Sequence, residues 1–210
     1  MQIKIPHIEK DFPIVELGSD SWKKAVEISI ENYWSGEIAV SGRHAQAKLL
    51  WSDSAFYVHF RANQFEPLVV SESPDLKTKT IGLWDRDVCE IFVASDIKEP
   101  EKYYEFEIAP TGEWLDLKIH HFSDRRETDF DYDSGMQPAA RVEKDKVVMA
   151  IKIEWKAFGK TPRFDDVWKG NLFRCVGSGA ERGYLAWSPT KTAQPDFHIP
   201  EAFGEFRFLK

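Results

Sequence analysis

Carboxylates recur in two short stretches of the sequence, at Asp85, Asp87 and Glu90 and again at Glu105 and Glu107. A pair of carboxylic acids flanking a glycosidic bond is what the hydrolysis of a sugar polymer requires. Ionised carboxylates are also pure hydrogen-bond acceptors, and a sugar is rich in hydroxyl donors. We favour sugar binding, with a stand-alone glycoside hydrolase that uses two of these acids as the alternative.

Aromatic side chains are the second chemical signal. They make up 14% of the chain, more than a core of this size needs when aliphatic residues are also supplied. Trp51, Trp114 and Trp155 begin or end alternating stretches, which is typical of core residues. Trp84 instead stands in a polar loop next to Asp85, where its ring could offer a face to the C–H groups of a sugar.

The stretch from Pro195 to Gly204, PDFHIPEAFG, combines aromatic rings with a histidine. Each of its prolines fixes its own φ at about −65°, which stiffens the loop that carries Phe197 and His198. We predict that these two side chains form a platform facing Trp84. Trp187, at the end of the preceding strand, is a further candidate for the same site.

Nucleophilic, metal and redox chemistry have little support. The sequence has no G-x-S-x-G elbow and no His-x-x-x-His pair, so neither a serine nucleophile nor a local zinc site is predicted. Cys89 and Cys175 each lie in an apolar run, which favours buried free thiols, with a disulfide if their strands are neighbours. A haem or redox domain is the less favoured alternative, because its candidate ligand Met149 falls on an apolar strand face.

The segment from Asp129 to Gly135 alternates carboxylates in the way that a calcium loop begins. Its glycine is the seventh residue instead of the sixth, and Ala140 occupies the twelfth position, where an EF-hand needs a bidentate glutamate. We therefore predict a solvated acidic loop within the charged stretch from Ser123 to Gly135.

Charge and hydropathy limit the partners. The 28 basic and 35 acidic residues give a net charge of −7, and no cluster of Lys or Arg is present, so neither nucleic acid nor an anionic membrane is expected. A neutral or cationic ligand fits better. No apolar run near 18 residues and no signal-peptide h-region occurs, which indicates a cytoplasmic protein by default, or a secreted one if a leader has been removed.

Period-two alternation dominates the chain and predicts short antiparallel strands. Glu90 falls on the same face of its strand as Val88 and Phe92. The predicted strands are Ala45 to Trp51, Ala55 to Ala62, Asp87 to Ala94, Tyr103 to Ala109, Trp114 to Ile119, Val147 to Trp155, Asn171 to Val176 and Phe206 to Leu209, with short helical turns at Ser21 to Val26 and Trp155 to Phe158. These elements predict that residues 1–210 form a single all-β domain, an antiparallel sandwich of jelly-roll type.

Three motifs resemble the family 9 carbohydrate-binding modules, specifically a family 9-like branch. They are W-x-x-D-x-x-E-I-F from Trp84 to Phe92, W-x-G-N from Trp168 to Asn171, and P-D-F-H-x-P-E-x-F-G from Pro195 to Gly204. They occur in the family's order, and the similarity runs from about Trp22 to Phe208. The resemblance implies a distorted jelly roll that binds small sugars or glycan ends, requires no cofactor, often carries structural calcium and often accompanies xylan-degrading glycoside hydrolases.

The resemblance also implies which residues bind. The family clamps one sugar ring between two aromatic side chains, which fall on Trp84 and Phe197, with Trp187 nearby. Its hydrogen-bonding acid falls on Glu90, and Glu107 stands where the family's site supplies an arginine. We expect a non-catalytic binding site, with His198, Arg86 and Asn171 as further hydrogen-bonding partners of the sugar.

Overall fold

The computed structural model describes residues 1–210. Its only helices are short 3-10 turns, and none has the length and apolar character needed to cross a membrane. The strands are β1 (Gln2–Ile5), β2 (Ile28–Ile30), β3 (Asn32–Tyr33), β4 (Ala45–Trp51), β5 (Ala55–Asn63), β6 (Val88–Ala94), β7 (Lys102–Ile108), β8 (Trp114–His121), β9 (Arg126–Asp129), β10 (Gln137–Val142), β11 (Lys146–Glu154), β12 (Val167–Val176), β13 (Gly183–Ala186) and β14 (Gly204–Phe208). The 3-10 turns are Asp20–Lys24, Ser41–Arg43, Leu83–Asp85, Trp155–Phe158, Gly179–Glu181 and Pro200–Ala202.

The strands form two sheets that pack face to face. The larger sheet has nine strands, in the order β1-β14-β12-β6-β7-β8-β9, with β13 paired to β12 and β3 paired to β13. The smaller sheet has five strands, in the order β10-β11-β5-β4-β2. All strand pairs are antiparallel except β1 with β14. The predicted all-β sandwich is therefore confirmed.

Apolar side chains lie on both faces of each sheet. This is favourable because other segments of the chain cover the outer faces and bury them. The main core lies between the sheets and includes Ile91 and Phe106 from the larger sheet and Phe56 and Ile151 from the smaller one. A second core lies on the outer face of the larger sheet, around Phe92 and the other rings of that face. A third lies under the N-terminal segment, on the outer face of the smaller sheet.

The two predicted hairpins are present with the expected pairing. In β4 and β5, Trp51 lies opposite Phe56, and in β7 and β8, Ile108 lies opposite Trp114. The predicted helical turn at Ser21 to Val26 is a 3-10 helix over Asp20–Lys24. The predicted loop from Ser123 to Gly135 was wrong in part, because Arg126–Asp129 pairs with β8 as an edge strand.

The two cysteines cannot form a disulfide, although β6 and β12 are neighbours. Cys89 lies opposite Arg174, so Cys175 projects from the other face of the sheet. Both thiols are free and buried, as the apolar sequence around them predicts. Met149 is likewise a core residue between the sheets, exposed by only 1%.

Candidate functional site

A cavity of about 360 Å³ opens on the outer face of the larger sheet. This volume is at the small end of the range for small-molecule sites, roughly 300 to 1,000 Å³. Four predicted site residues line the cavity: Trp84, Glu90, Phe197 and His198. Its other lining residues are Asp85, Phe92, Glu105, Leu117, Arg126, Thr128, Phe130, Cys175, Tyr184, Pro195 and Asp196.

Trp84 sits on a single 3-10 turn that leads into β6. The turn begins after Gly82, whose φ of 80° is a left-handed conformation that glycine adopts without a steric penalty. Leu83 is fully buried in the outer core, whereas the next side chain, Trp84, is 36% exposed. The turn therefore uses leucine as its anchor and presents the indole ring at the cavity.

The backbone of this turn is fixed by Arg182. Its guanidinium donates hydrogen bonds to the carbonyl oxygens of Trp84 at 2.6 Å, Asp85 at 3.0 Å and Arg86 at 2.8 Å. It also donates to the Gly177 carbonyl at 2.8 Å. The planar guanidinium is pre-organised, so little entropy is lost for each hydrogen bond that it forms. Arg182 therefore holds the Trp84 turn in one position relative to the sheet.

The floor of the cavity carries three glutamates. Glu90 of β6 lies directly opposite Glu107 of β7, and Glu105 is two residues from Glu107 on the same face. Their exposures are 2%, 3% and 0% for Glu90, Glu105 and Glu107. Glu90 and Glu105 line the cavity, and Glu107 lies beside them beneath its surface. We call Glu90, Glu105 and Glu107 the carboxylate floor.

Burial is the main cause of the shifted acidity of the carboxylate floor. It raises the pKa of Glu90 to about 8, and the charge of Glu105 adds to this shift. It raises the pKa of Glu105 to about 7 and raises that of Glu107 well above its ordinary value, with Glu90 and Glu105 contributing. Three like charges on one buried surface are unfavourable without a compensating cation, so the floor holds protons near neutral pH.

The C-terminal loop forms one wall. Asp196 accepts a hydrogen bond from the His198 backbone N–H at 2.9 Å. This bond closes a turn and fixes the positions of Phe197 and His198. Phe197 stacks on Phe173, with ring centroids 4.0 Å apart and an interplanar angle of 12°. Phe197 is only 8% exposed. One of its faces is therefore occupied by the protein, and it is a packed wall of the cavity more than a free platform.

His198 is held in its neutral form. Burial, with Arg126 and His121 nearby, lowers the pKa of His198 to about 3. The Tyr103 hydroxyl lies 2.8 Å from Nδ1, and burial raises the pKa of Tyr103, so the hydroxyl keeps its proton and donates it. Nε2 then carries the imidazole hydrogen, 4.0 Å from Oε2 of Glu105. His198 thus offers a donor, and no positive charge, toward the floor.

The family described as carbohydrate family 9 binding domain-like matches residues 17–210 of the chain. The chain belongs to this family. The three motifs on which its resemblance to this family rests surround the cavity and the strands beneath it. No curated protein sequence matches this family member.

Solved structures of similar fold cover nearly all of this family 9-like module. A candidate carbohydrate-binding protein from Bacteroides uniformis has 15% identity and a TM-score of 0.78, over 99% of this chain and 98% of its own. Family 9 modules from Caldicellulosiruptor kristjanssonii give 14% identity and a TM-score of 0.69 for the cellotriose complex, over 100% and 94% of the two chains. The glucose complex gives 16% and 0.64, over 99% and 95%. At these identities the similarity shows a shared fold.

Four of the expected ligand-binding residues do not line the cavity of the module: Trp187, Asn171, Arg86 and Glu107. Trp187 is 5% exposed and lies in the core between the sheets, where it packs on Gly204 so closely that a Cβ there would meet its ring at 2.4 Å. Asn171 is fully buried, donates to the Ser188 carbonyl at 2.7 Å and accepts from the Ser188 N–H at 3.0 Å. Packing takes up the Trp187 ring and backbone hydrogen bonds take up the Asn171 amide, so neither side chain reaches the cavity.

Arg86 also points elsewhere. Its guanidinium donates to Glu113 at 2.9 Å, at the end of the β7–β8 hairpin. The expectation that Arg86 hydrogen-bonds a sugar therefore has no support from the structure. The W-x-G-N motif has a packing explanation too, since a Cβ at Gly170 would meet the Phe92 carbonyl at 2.4 Å.

Among the lining residues that sequence reasoning missed are Phe130, Tyr184, Arg126 and, as a binding residue, Glu105. Phe130 had a usable signal, because an aromatic ring inside an acidic stretch has no local core to join, and it is 45% exposed. Tyr184 and Arg126 reach the cavity only through the pairing of β13 with β12 and of β9 with β8. That pairing is not visible in the local sequence.

The structure does not provide a calcium site. No group of three or more His, Cys, Asp and Glu side chains is placed to hold a metal ion. In the acidic loop, Asp129 accepts from the Asp131 N–H at 3.0 Å and Asp133 accepts from the Gly135 N–H at 2.9 Å. These carboxylates close local turns instead of converging on one point, so the residues present do not fit the structural calcium that the resemblance implies.

Proposed function

We propose that this family 9-like module binds a small sugar or the end of a glycan in the cavity, without catalysis. One observation carries the proposal: a single exposed tryptophan, Trp84, stands over a buried floor of hydrogen-bond acceptors. The neighbouring rings pair with one another, as Phe173 does with Phe197, whereas Trp84 is 36% exposed and can offer its ring to a ligand. Rigid rings give contact area to a sugar at little entropic cost.

The related modules from Caldicellulosiruptor kristjanssonii were solved with cellotriose and with glucose. We therefore propose a glucose-like ring as the unit recognised here, with Trp84 on one side and the Phe197 wall or Phe130 on the other. His198 donates to a ring hydroxyl, and Glu90 and Glu105 accept from others. We further propose that the module acts beside glycoside hydrolases in the breakdown of xylan-type polysaccharides.

Calorimetric titration with glucose, cello-oligosaccharides and xylo-oligosaccharides tests the proposal. We expect binding in the millimolar to micromolar range, about −4 to −8 kcal/mol, with a change in tryptophan fluorescence. Trp84→Ala should weaken binding at least about tenfold, while the free energy of unfolding stays within about 0.5 kcal/mol of wild type. If no sugar of this set gives heat or a fluorescence change, the proposed function is wrong.

Trp187→Phe is the matched control, because Trp187 is buried and lies outside the cavity. It should cost about 1 to 2 kcal/mol of stability through the space it leaves, with sugar affinity unchanged. Turnover of an aryl glycoside by the wild-type protein would instead favour the glycoside hydrolase, which needs two carboxylates on opposite sides of the bond.

A further inference from the structure

The carboxylate floor is unusual because it contains no cation. None of Glu90, Glu105 and Glu107 forms a salt bridge with a Lys or Arg side chain, and the nearest imidazole, that of His198, is held neutral. Oε2 of Glu105 and both carboxylate oxygens of Glu107 have no hydrogen-bond partner outside the floor. Within it, burial raises the pKa of both groups, and their mutual contact opposes that rise at Glu105 and adds to it at Glu107. Glu90 has a single weak hydrogen-bond partner, the Cys175 thiol at 3.4 Å. Buried carboxylates in proteins are normally paired or multiply hydrogen-bonded.

Two nearby arginines, Arg182 and Arg174, form their hydrogen bonds with other groups and not with the carboxylate floor. The guanidinium of Arg182 is taken up by the backbone carbonyls of Trp84, Asp85, Arg86 and Gly177. Arg174 projects from the opposite face of the sheet, where it donates to the Arg43 carbonyl at 2.7 Å and to Gln64 at 2.7 Å.

Arg126 is the remaining cation of the lining. It is exposed at the rim, on edge strand β9, and it forms no salt bridge. Its positive charge acts on Glu105 from a distance. Arg182 also acts on Glu90 through its charge. Four lining carboxyl groups, on Asp85, Glu90, Glu105 and Asp196, thus surround a single lining cation, so the cavity as a whole favours a positively charged guest.

A neutral sugar would satisfy some of these oxygens but would leave the floor protonated, because it brings no charge that would favour ionised carboxylates. An ammonium group supplies three hydrogen-bond donors and a positive charge at one point, and charge-assisted hydrogen bonds are about twice as strong as neutral ones. The side chains do not form a metal-binding group, and the walls are aromatic, with Trp84, Phe130, Tyr184 and Phe197. Rings around a cation add a further attraction to an organic ammonium.

We propose that the sugar recognised here carries a free amino group, whose ammonium binds Glu90 and Glu105, with Glu107 behind them, while the sugar ring packs on Trp84. The ligand class is an amino sugar or the amino-sugar end of a glycan. This inference rests on the proposed sugar-binding function and names the chemical class of its ligand.

Competition among matched sugars tests the inference. Glucosamine and its β-1,4-linked disaccharide, glucose and cellobiose, and the N-acetylated forms are titrated at about pH 6.5, where the amine is protonated. The amino sugars should bind at least about tenfold more tightly than their neutral and N-acetylated counterparts. Equal affinity for neutral and amino sugars overturns the ammonium site and leaves the proposed function standing. If no sugar binds, both are wrong.

Two variants assign the preference to the floor. Glu107→Gln keeps the side chain's shape and removes a carboxyl that can ionise when the ammonium binds, and it should reduce the amino-sugar preference to about threefold or less while neutral sugars still bind. Arg126→Gln should preserve or increase the preference, because it removes a competing cation. Loss of the preference in Arg126→Gln would overturn the assignment, since Arg126 would then be part of the recognition.

A second carboxylate variant and a simple amine complete the test. Glu105→Gln repeats the measurement if Glu107→Gln does not fold, with circular dichroism as the check on folding. Methylamine, which has the ammonium group without a sugar ring, should bind at least about a hundredfold more weakly than glucosamine. Comparable binding of methylamine would contradict recognition of an amino sugar.

Discussion

Six acidic side chains are buried in this protein, and they form two groups of three that differ in their partners. Asp87, Glu113 and Asp116 are met by arginine, lysine or several N–H donors. Glu90, Glu105 and Glu107 of the carboxylate floor have almost no partner of their own. Both groups belong to the larger sheet and the loops at its ends, so burial alone does not distinguish them.

The partnered acids hold loops against the sheet. Asp87 accepts from the N–H groups of Gly177 at 2.7 Å and Val69 at 3.1 Å, and from Gln64 at 3.1 Å. The other two have charged partners: Glu113 binds Arg86 at 2.9 Å, and Asp116 lies 2.8 Å from the Lys79 ammonium. Acids with such partners stabilise the fold, whereas the floor acids cost stability that a ligand would recover.

The largest expected effect comes from breaking a partnered acid. Asp87→Ala removes the acceptor from three buried donors and should lower the free energy of unfolding by about 3 kcal/mol. Chemical denaturation at pH 7 measures the change. If the loss is below about 1 kcal/mol, the donors find other partners and the distinction between the two groups is weakened.

The opposite sign is expected for Glu107→Gln. The pKa of the Glu107 carboxyl is raised by folding, so the native state binds protons that the unfolded state has released, and stability falls as pH rises above about 4.5. The substitution removes this penalty. Near pH 5 the variant and wild type should be similar, and by about pH 8 the variant should be the more stable of the two.

Several other titratable or charged groups face the floor, and their contribution to the pH dependence of stability must be the same in both proteins for this comparison to hold. They are Asp85, Cys175, His198, Arg126 and Arg182. The difference between variant and wild type at each pH removes their contribution, together with that of His59, whose pKa burial lowers to about 4. Glu113→Gln is the control and should lose about 1 kcal/mol, because Arg86 loses its charged partner. The variant still loses stability with rising pH, because Glu90 and Glu105 remain, but less steeply than wild type. A slope as steep as that of wild type would contradict the assignment to Glu107.

A smaller effect is expected when the Trp84 turn is loosened. Arg182→Met removes the four hydrogen bonds to backbone carbonyls while keeping an unbranched side chain. Sugar affinity should fall about tenfold, equivalent to about 1.4 kcal/mol, because the indole is no longer held in place. Calorimetry measures the affinity, and an unchanged value would show that the turn keeps its position without Arg182.

The smallest expected effect concerns the exposed wall. Phe130→Ala removes a ring that is 45% exposed, so the free energy of unfolding should change by less than about 0.5 kcal/mol. Affinity for the bound sugar should fall about threefold if the ring covers one face of it. An affinity that is unaffected would leave the Phe197 wall as the surface opposite Trp84.

Local sequence was sufficient for much of the fold because alternation and turn residues are local signals. The hairpin from Ala45 to Ala62 was predicted with its pairing, and Glu90 was placed on the correct face of its strand. The parallel pairing of β1 with β14 joins the two ends of the chain, and no local pattern indicates it. The edge strand Arg126–Asp129 was missed for a related reason, since its residues are polar on both faces.

Motifs in the sequence predicted Trp84, Glu90, Phe197 and His198 as site residues, and the structure brings these four together in the lining of one cavity. It places Trp187 in the core and Asn171 on backbone groups, away from the cavity, because aromatic and amide side chains serve the core and the backbone as readily as a ligand. The sequence could not show that Glu105 and Glu107 lack partners outside the floor. That property depends on where every nearby arginine is directed, which only the three-dimensional structure contains.

Proton release on binding tests the account most directly. Wild-type protein is titrated with the glucosamine disaccharide at about pH 7 in buffers of different ionisation enthalpy, with cellobiose as the neutral control. An ammonium beside the carboxylate floor favours ionised carboxylates, so the amino sugar should release protons and cellobiose should release far fewer. Binding of the amino sugar with no proton release, or with uptake, would contradict the claim that the floor binds a cationic ligand.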